Sequence, residues 1–225
     1  LRPDSEYTLT VTLTGHEGTP LTLDPIYFVS GSLPERFPTV ELLAHKPDQM
    51  EPGYRLMTFK RPTDSSVMLV AFDREMEPVW WSEGTGWGDV GFSPRGTLVG
   101  LVNGTAEEMD LLGQTLRTWK DGVGLGSEVS IPYEHLHHEL VEVQDELFLS
   151  LGYYSTEVEA YPESYSNPEV LSGPVEVKDS HVVLFDAEGQ EQENLALVDV
   201  LDTTRIGYDS LDNTGEGEDW VHANA

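Results

Sequence analysis

The sequence predicts an all-β fold, and three observations carry that expectation. Short runs rich in Val, Thr and aromatic residues alternate apolar and polar side chains with a period of two. No apolar period of 3.6 is sustained over the length a helix requires. A strand, a polar turn and a second strand recur at intervals of about 40 residues, which suits four-stranded propeller blades. The expected architecture is an incomplete β-propeller preceded by the last strands of a β-sandwich.

The first segment, Tyr7-Thr8-Leu9-Thr10-Val11-Thr12-Leu13, has the alternation of a half-buried strand. Before it, Leu1-Arg2-Pro3-Asp4-Ser5-Glu6-Tyr7 has the form of a Leu-x-Pro-x-x-x-Tyr corner, in which a Tyr hydroxyl pins the turn of an immunoglobulin or fibronectin-like sandwich. Ile26-Tyr27-Phe28-Val29 reads as the final sandwich strand. Pro34 and Pro38 then stiffen an extended exit. Residues 1–40 are expected to hold the sandwich remnant and linker, and residues 41–225 the partial propeller.

Within the second region the clearest strands are 54–59, 67–72, 79–81, 97–102, 140–143, 147–151 and 182–185. Val70-Ala71-Phe72-Asp73 precedes Val79-Trp80-Trp81, and Met109-Asp110-Leu111 precedes Leu116-Arg117-Thr118-Trp119. Leu184-Phe185-Asp186-Ala187-Glu188-Gly189 repeats the first half of that unit. Phe92 to Val99 and Val143 to Leu149 supply the hairpins of the other half. Residues 153–178, with Pro162, Pro168 and Pro174 among acidic and aromatic residues, read as an insertion on one face of a blade. Three to four blade units fit after residue 50, so the toroid is expected to be incomplete.

Composition limits the partners. The chain has 225 residues with 41 acidic and 12 basic side chains, for a net charge of −29. A surface of that sign repels nucleic acid and anionic membranes. The longest uncharged apolar run, residues 67–72, is far short of the roughly 20 residues of a membrane helix, so no membrane insertion is expected. With 38% apolar residues a core is still affordable. Absence of cysteine excludes disulfides and thiolate chemistry but leaves the compartment open. The chain opens on Leu1 with no signal-like stretch, so any export signal is expected upstream.

Chemistry points to histidine. His135-Leu136-His137-His138-Glu139 puts three imidazoles just before an inner hairpin, and strand alternation sends His135, His137 and Glu139 to one face. The last residues repeat the pattern: Trp220, His222 and Asn224 share a face, and His222-x-Asn224 overlays His137-x-Glu139. A lone histidine is more often a satisfied surface or core residue than a ligand. Two in register with a repeat argue for a shared channel. Metal ligation needs further ligands that the spacing does not supply, so no metal is assigned. The remaining reading is hydrogen bonding or proton transfer to an anionic substrate.

These two histidine motifs, the blade period and the partial sandwich together resemble the arylsulfotransferase family of PAPS-independent aryl-sulfate sulfotransferases. The resemblance spans nearly the whole chain, although only the histidine motifs are specific. It implies a six-bladed propeller in an exported, periplasmic or extracellular enzyme without a cofactor. A channel histidine would take a sulfuryl group from an aryl sulfate and pass it to a phenol. It gives His137 and His222 catalytic roles, and His138, Glu139 and Asn224 contacts to substrate. Glu139 stands where the family usually has Asp. The nucleophilic histidine and a sulfate-binding arginine are expected beyond residue 225, which would leave these residues inactive by themselves. A non-catalytic propeller that binds or scaffolds is the alternative, and the oligomeric state is open.

Other features carry structural expectations. His16, His45 and His181 read as surface or turn residues. Trp80, Trp81 and Trp119 read as core aromatics, whereas Tyr153, Tyr154, Tyr161 and Tyr165 could stack on an aryl group. The run from Asp209 to Glu216 lacks the spacing of a calcium loop.

Overall fold

The computed structural model describes residues 1–15, 18–60, 67–102, 105–121, 128–132, 135–167, 169–207, 210–211, 220–221 and 223. It is all-β. The chain forms two compact units, Leu1–Thr85 and Gly86–Ala225.

The first unit begins with a two-stranded ribbon. Strands β1 (Glu6–Leu9) and β4 (Ile26–Val29) pair antiparallel with Tyr7 opposite Phe28, while β2 (Thr12–Leu13) and β3 (Leu21–Thr22) continue the ribbon. The expected strand 7–13 is therefore interrupted at residues 10 and 11. The corner forms as the sequence indicated: the Arg2 backbone N–H donates to the Tyr7 hydroxyl at 2.7 Å, and Tyr7 stacks on Phe28 at 5.6 Å. Arg2 also bonds Asp73 at 2.6 Å, tying the corner to the next sheet of this unit.

That sheet is an antiparallel meander of β5 (Arg55–Lys60), β6 (Val67–Phe72) and β7 (Pro78–Thr85). Its middle strand is apolar at successive positions, as expected of a strand covered on both faces, and Met68 to Phe72 are all buried. Met68, Val70 and Phe72 form a small core with Phe37, Phe59, Met76 and Trp81 against it.

The second unit holds two sheets. Strands β8 (Trp87–Phe92), β9 (Leu98–Val102), β10 (Thr105–Met109) and β11 (Thr115–Asp121) form an antiparallel meander, and β12 (Glu128–Ile131) adds to β11 in parallel. The second sheet is a four-stranded antiparallel meander of β13 (His135–Gln144), β14 (Leu147–Val158), β15 (Val175–Asp186) and β16 (Glu191–Ala196). Along β16, residues 191–195 are exposed and include Glu191 and Glu193. A core joins the two sheets: Val99, Leu101, Ala106, Trp119 and Ile131 meet Leu136, Leu140, Phe148, Val183 and Phe185. Trp119 sits at its centre, 4.6 Å from the Phe148 ring and 5.8 Å from Phe185, and its indole N–H donates to the Ala187 carbonyl at 3.1 Å.

Charged groups reinforce that joint. Arg95 lies 2.8 Å from Glu108, 3.4 Å from Glu142 and 2.9 Å from Glu146, and Arg117 reaches Glu146 at 3.3 Å. The Glu108 and Glu142 side chains are almost wholly buried. Their charge is offset by the two guanidinium groups, as burial of a carboxylate demands.

The internal repeat has a common physical cause. At Asp73, Asp110 and Asp186 one carboxylate oxygen accepts the backbone N–H of the residues two and four positions on, at 2.9 to 3.1 Å. Each of these Asp-capped turns joins two antiparallel strands: β6 to β7, β10 to β11 and β15 to β16. The residue three after the Asp has positive φ in every case: Met76 at 60°, Gly113 at 85° and Gly189 at 74°.

Residues 153–178 differ from the expected insertion. Their two ends continue β14 and β15 as one twelve-pair antiparallel ladder, from Leu147 opposite Asp186 to Val158 opposite Val175. Only residues 159–174 form a connection. Tyr153-Tyr154-Ser155-Thr156 has strand-forming character, which outweighs the prolines further on. Beyond β16, Leu197, Val198, Ile206, Leu211, Trp220 and Val221 pack on Tyr161, Val177, Val158 and Val175 as a second core of this unit.

Candidate functional site

The histidine cluster occupies the start of β13. His135 pairs with Tyr153, Leu136 with Gly152 and His137 with Leu151 across β14. Alternation holds over these three residues: Leu136 enters the core, while His135 and His137 both meet Tyr153 on the opposite face. The His135 ring stacks on Tyr153 at 4.9 Å and 20°, and His137 lies 5.7 Å from the same ring. His137 and His138 meet edge to face at 5.1 Å. On the β15 side of Tyr153, the Lys178 ammonium lies 5.6 Å from the ring centroid.

Beyond His137 the ladder breaks. The next pair is Leu140 with Ser150, so His138 and Glu139 bulge out with no opposite residue. His138 takes φ = 60°, a left-handed conformation that is uncommon for a residue with a side chain. The buried Ser150 hydroxyl donates to the Glu139 carbonyl at 2.6 Å and satisfies the acceptor that the bulge frees. Simple alternation therefore does not assign Glu139 to the face of His137, because the rule assumes an unbroken ladder. Left-handed residues of this kind cost about 1–3 kcal/mol and concentrate at functional positions.

Of the residues singled out from the sequence, His137, His138 and Glu139 are thus consecutive at one bulge. His222 and Asn224 lie outside the described residues. Trp220 of the same motif is buried, with its indole N–H donating to the Arg205 carbonyl at 3.2 Å. His16 also lies outside the described residues, as do Asp209 and residues 212–216 of the acidic run. His45 is exposed, with Nε2 2.8 Å from the Arg74 carbonyl.

His181 corrects the sequence reading. It is a strand residue of β15, not a surface or turn histidine, and it sits between two oxygens: Asp179 at 3.0 Å from Nε2 and Asn194 at 2.7 Å from Nδ1. Asp179 is fully buried and also accepts the Val198 N–H at 3.1 Å. Burial raises its pKa, opposed by the Val198 N–H and by His181. Sequence spacing could have suggested Asp179 and His181 as neighbours on one strand face, but Asn194 comes from β16 and only the register finds it.

The tyrosines take distinct roles. Tyr161 is buried, and its hydroxyl donates to the Ser210 carbonyl at 2.8 Å. The Tyr154 hydroxyl donates to the Pro132 carbonyl at 3.0 Å, and the exposed Tyr165 accepts the Leu211 N–H at 2.9 Å. Tyr153 meets His135 and His137, whereas the Tyr154 ring packs on His181 at 4.6 Å.

What this arrangement can do is present imidazole N–H and N groups, flanked by a lysine and a phenol ring, at the start of one strand. A search among curated proteins finds no match. A family model described as arylsulfotransferase (ASST) matches residues 23–225. That match covers most of the chain, including all of β13 to β16 and the histidine cluster, and the chain belongs to the arylsulfotransferase family.

Proposed function

We propose that this chain contributes to an enzyme that moves a sulfuryl group from an aryl sulfate to a phenol, with His137 and His222 as catalytic imidazoles. The observation that carries the reading is the strained bulge at His138 that sets its ring edge to face with His137, while His135 and His137 share the Tyr153 ring, in a chain of this family. In the proposed step a histidine nitrogen attacks sulfur, the S–O(aryl) bond breaks, and the phenolate leaves with a proton donated by a neighbouring imidazolium. An acceptor phenol then attacks the sulfur, the N–S bond breaks, and the phenol proton passes back to an imidazole. The nucleophile is assigned to no residue described above. His137 and His222 donate to charge developing on the transferring group and the leaving oxygen. His138, Glu139 and Asn224 contact the substrate.

The fold proposed for this chemistry is a propeller with a sandwich before it. The four-stranded meander β13 to β16, the matching β8 to β11 and the shared Asp-capped turns support blades, and the Tyr7 corner supports the sandwich. Export to the periplasm or the extracellular space is proposed from the family resemblance, and a cysteine-free chain is compatible with it.

The test is sulfuryl transfer from p-nitrophenyl sulfate to phenol by the protein that carries this chain. His137→Ala and His222→Ala are each expected to lose about 100-fold or more in kcat, the usual effect of removing one well-aimed donor. Full activity in both variants overturns the assignment. Saturable binding of p-nitrophenyl sulfate without turnover would indicate a binding module instead.

A further inference from the structure

We propose that Lys178 is the specificity-determining cation of the histidine site, selecting an anionic aromatic substrate, and that Tyr153 is the residue that positions it. The inference rests on the sulfuryl-transfer reading; it adds Lys178, which the sequence left unassigned, and gives Tyr153 a positioning role in place of the aryl stacking expected of it.

The register places the parts. Tyr153 of β14 stands between His135 of β13 and Ser180 of β15, and Lys178 lies two residues from Ser180 on the same face of the sheet. Tyr153 therefore has a stacked imidazole towards β13 and an ammonium towards β15, at 4.9 Å and 5.6 Å. An ammonium over a phenol ring is attracted by the ring quadrupole, which holds a long, flexible side chain near one place. The outcome is a row of His138, His137, Tyr153 and Lys178 with successive neighbours in contact.

Charge makes the row unusual. The chain carries only four lysines and eight arginines against 41 acidic residues. In the second unit Arg95 and Arg117 are engaged by Glu108, Glu142 and Glu146. Glu176, two residues before Lys178 on the same face, is hydrogen-bonded by the Ser155 hydroxyl. A cation at the end of the row of His138, His137 and Tyr153, in a chain of this net charge, gives a sulfate monoester a local attraction. The same row offers a neutral phenol no charge to pair with, so Lys178 favours the donor over the acceptor.

The experiment measures binding and turnover of p-nitrophenyl sulfate by the protein that carries this chain, in Lys178→Gln, Lys178→Arg, Tyr153→Phe and Tyr153→Leu. Lys178→Gln is expected to raise Kd and KM about tenfold with little change in kcat, a loss in the range of one charged hydrogen bond. Lys178→Arg restores most of that loss, and phenol binding is unchanged in both. Tyr153→Phe keeps the ring and with it the affinity for the ester, whereas Tyr153→Leu reproduces the Lys178→Gln loss of affinity. Unchanged sulfate-ester affinity in Lys178→Gln, alongside normal wild-type turnover, overturns this inference and leaves the sulfuryl-transfer reading intact. A wild-type protein carrying this chain that neither binds nor turns over the ester overturns both.

Discussion

Replacing Gly189 by Ala tests how the second sheet of the Gly86–Ala225 unit docks on the first. Gly189 has φ = 74°, so an alanine there carries the left-handed penalty of about 1 kcal/mol. The added Cβ would also lie 2.3 Å from the Ser130 carbonyl oxygen, 2.9 Å from Val129 Cγ1 and 3.0 Å from Ile131 Cγ2. The first of these is backbone and cannot rotate away, so β12 and the 186–190 turn must separate. Forced overpacking of this kind costs about 1–3 kcal/mol. The separation also stretches the Trp119 to Ala187 hydrogen bond, whose loss beside a buried indole adds about 1 kcal/mol. The expected total is about 3–5 kcal/mol. Gly113→Ala is the control, because it occupies the equivalent turn position with φ = 85° and has nothing within 4 Å of the added atom. It should cost about 1 kcal/mol. Urea unfolding followed by tryptophan fluorescence measures both. Equal losses in the two variants would refute the claim that the 186–190 turn is a close-packed joint.

Two further outcomes follow from the site and its surroundings. Ser150→Ala leaves the Glu139 carbonyl without its hydroxyl donor and should lower stability by about 1–3 kcal/mol, with reduced activity from a loosened bulge; chemical denaturation and the sulfuryl-transfer assay read the two effects separately. Asp179 has a folded pKa above its unfolded value, so the stability associated with its protonated form is complete below the ordinary carboxylate range and declines as pH rises through the folded value. Asp179→Asn should remove that decline, so that the stability difference between variant and wild type moves in favour of the variant from pH 3.5 towards neutrality, about the range in which a raised carboxylate titrates. A difference that stays constant with pH would show that Asp179 does not titrate in this window.

Much of the fold was legible because its signals are local. The strand at 67–72 matches β6 residue for residue, since an uninterrupted apolar run bounded by polar turns has few other solutions. The Asp-bearing repeat was legible because the aspartate itself closes each turn. What the sequence concealed depends on pairing between strands. The bulge at His138 and Glu139 has no marker in the local pattern, and it leaves Glu139 without an opposite residue, so that alternation does not assign its face. The His181 network needs Asn194 from a neighbouring strand. The parallel addition of β12 to β11 departs from the meander that short turns predict. Of the site, the three histidines at 135, 137 and 138 were visible as a cluster, but the stacking of Tyr153 between an imidazole and an ammonium follows from register alone.

The exposed margin of β16 has a bearing on how this protein avoids its own copies. An open strand offers unpaired backbone groups to any other strand, and a second molecule of the same sequence is the most abundant candidate during synthesis. Antiparallel extension across Glu191 and Glu193 would bring like charges together in a chain already at −29. Among the described residues β16 is the outer strand of its sheet, and neutralising those two carboxylates is expected to weaken that repulsion without touching the core.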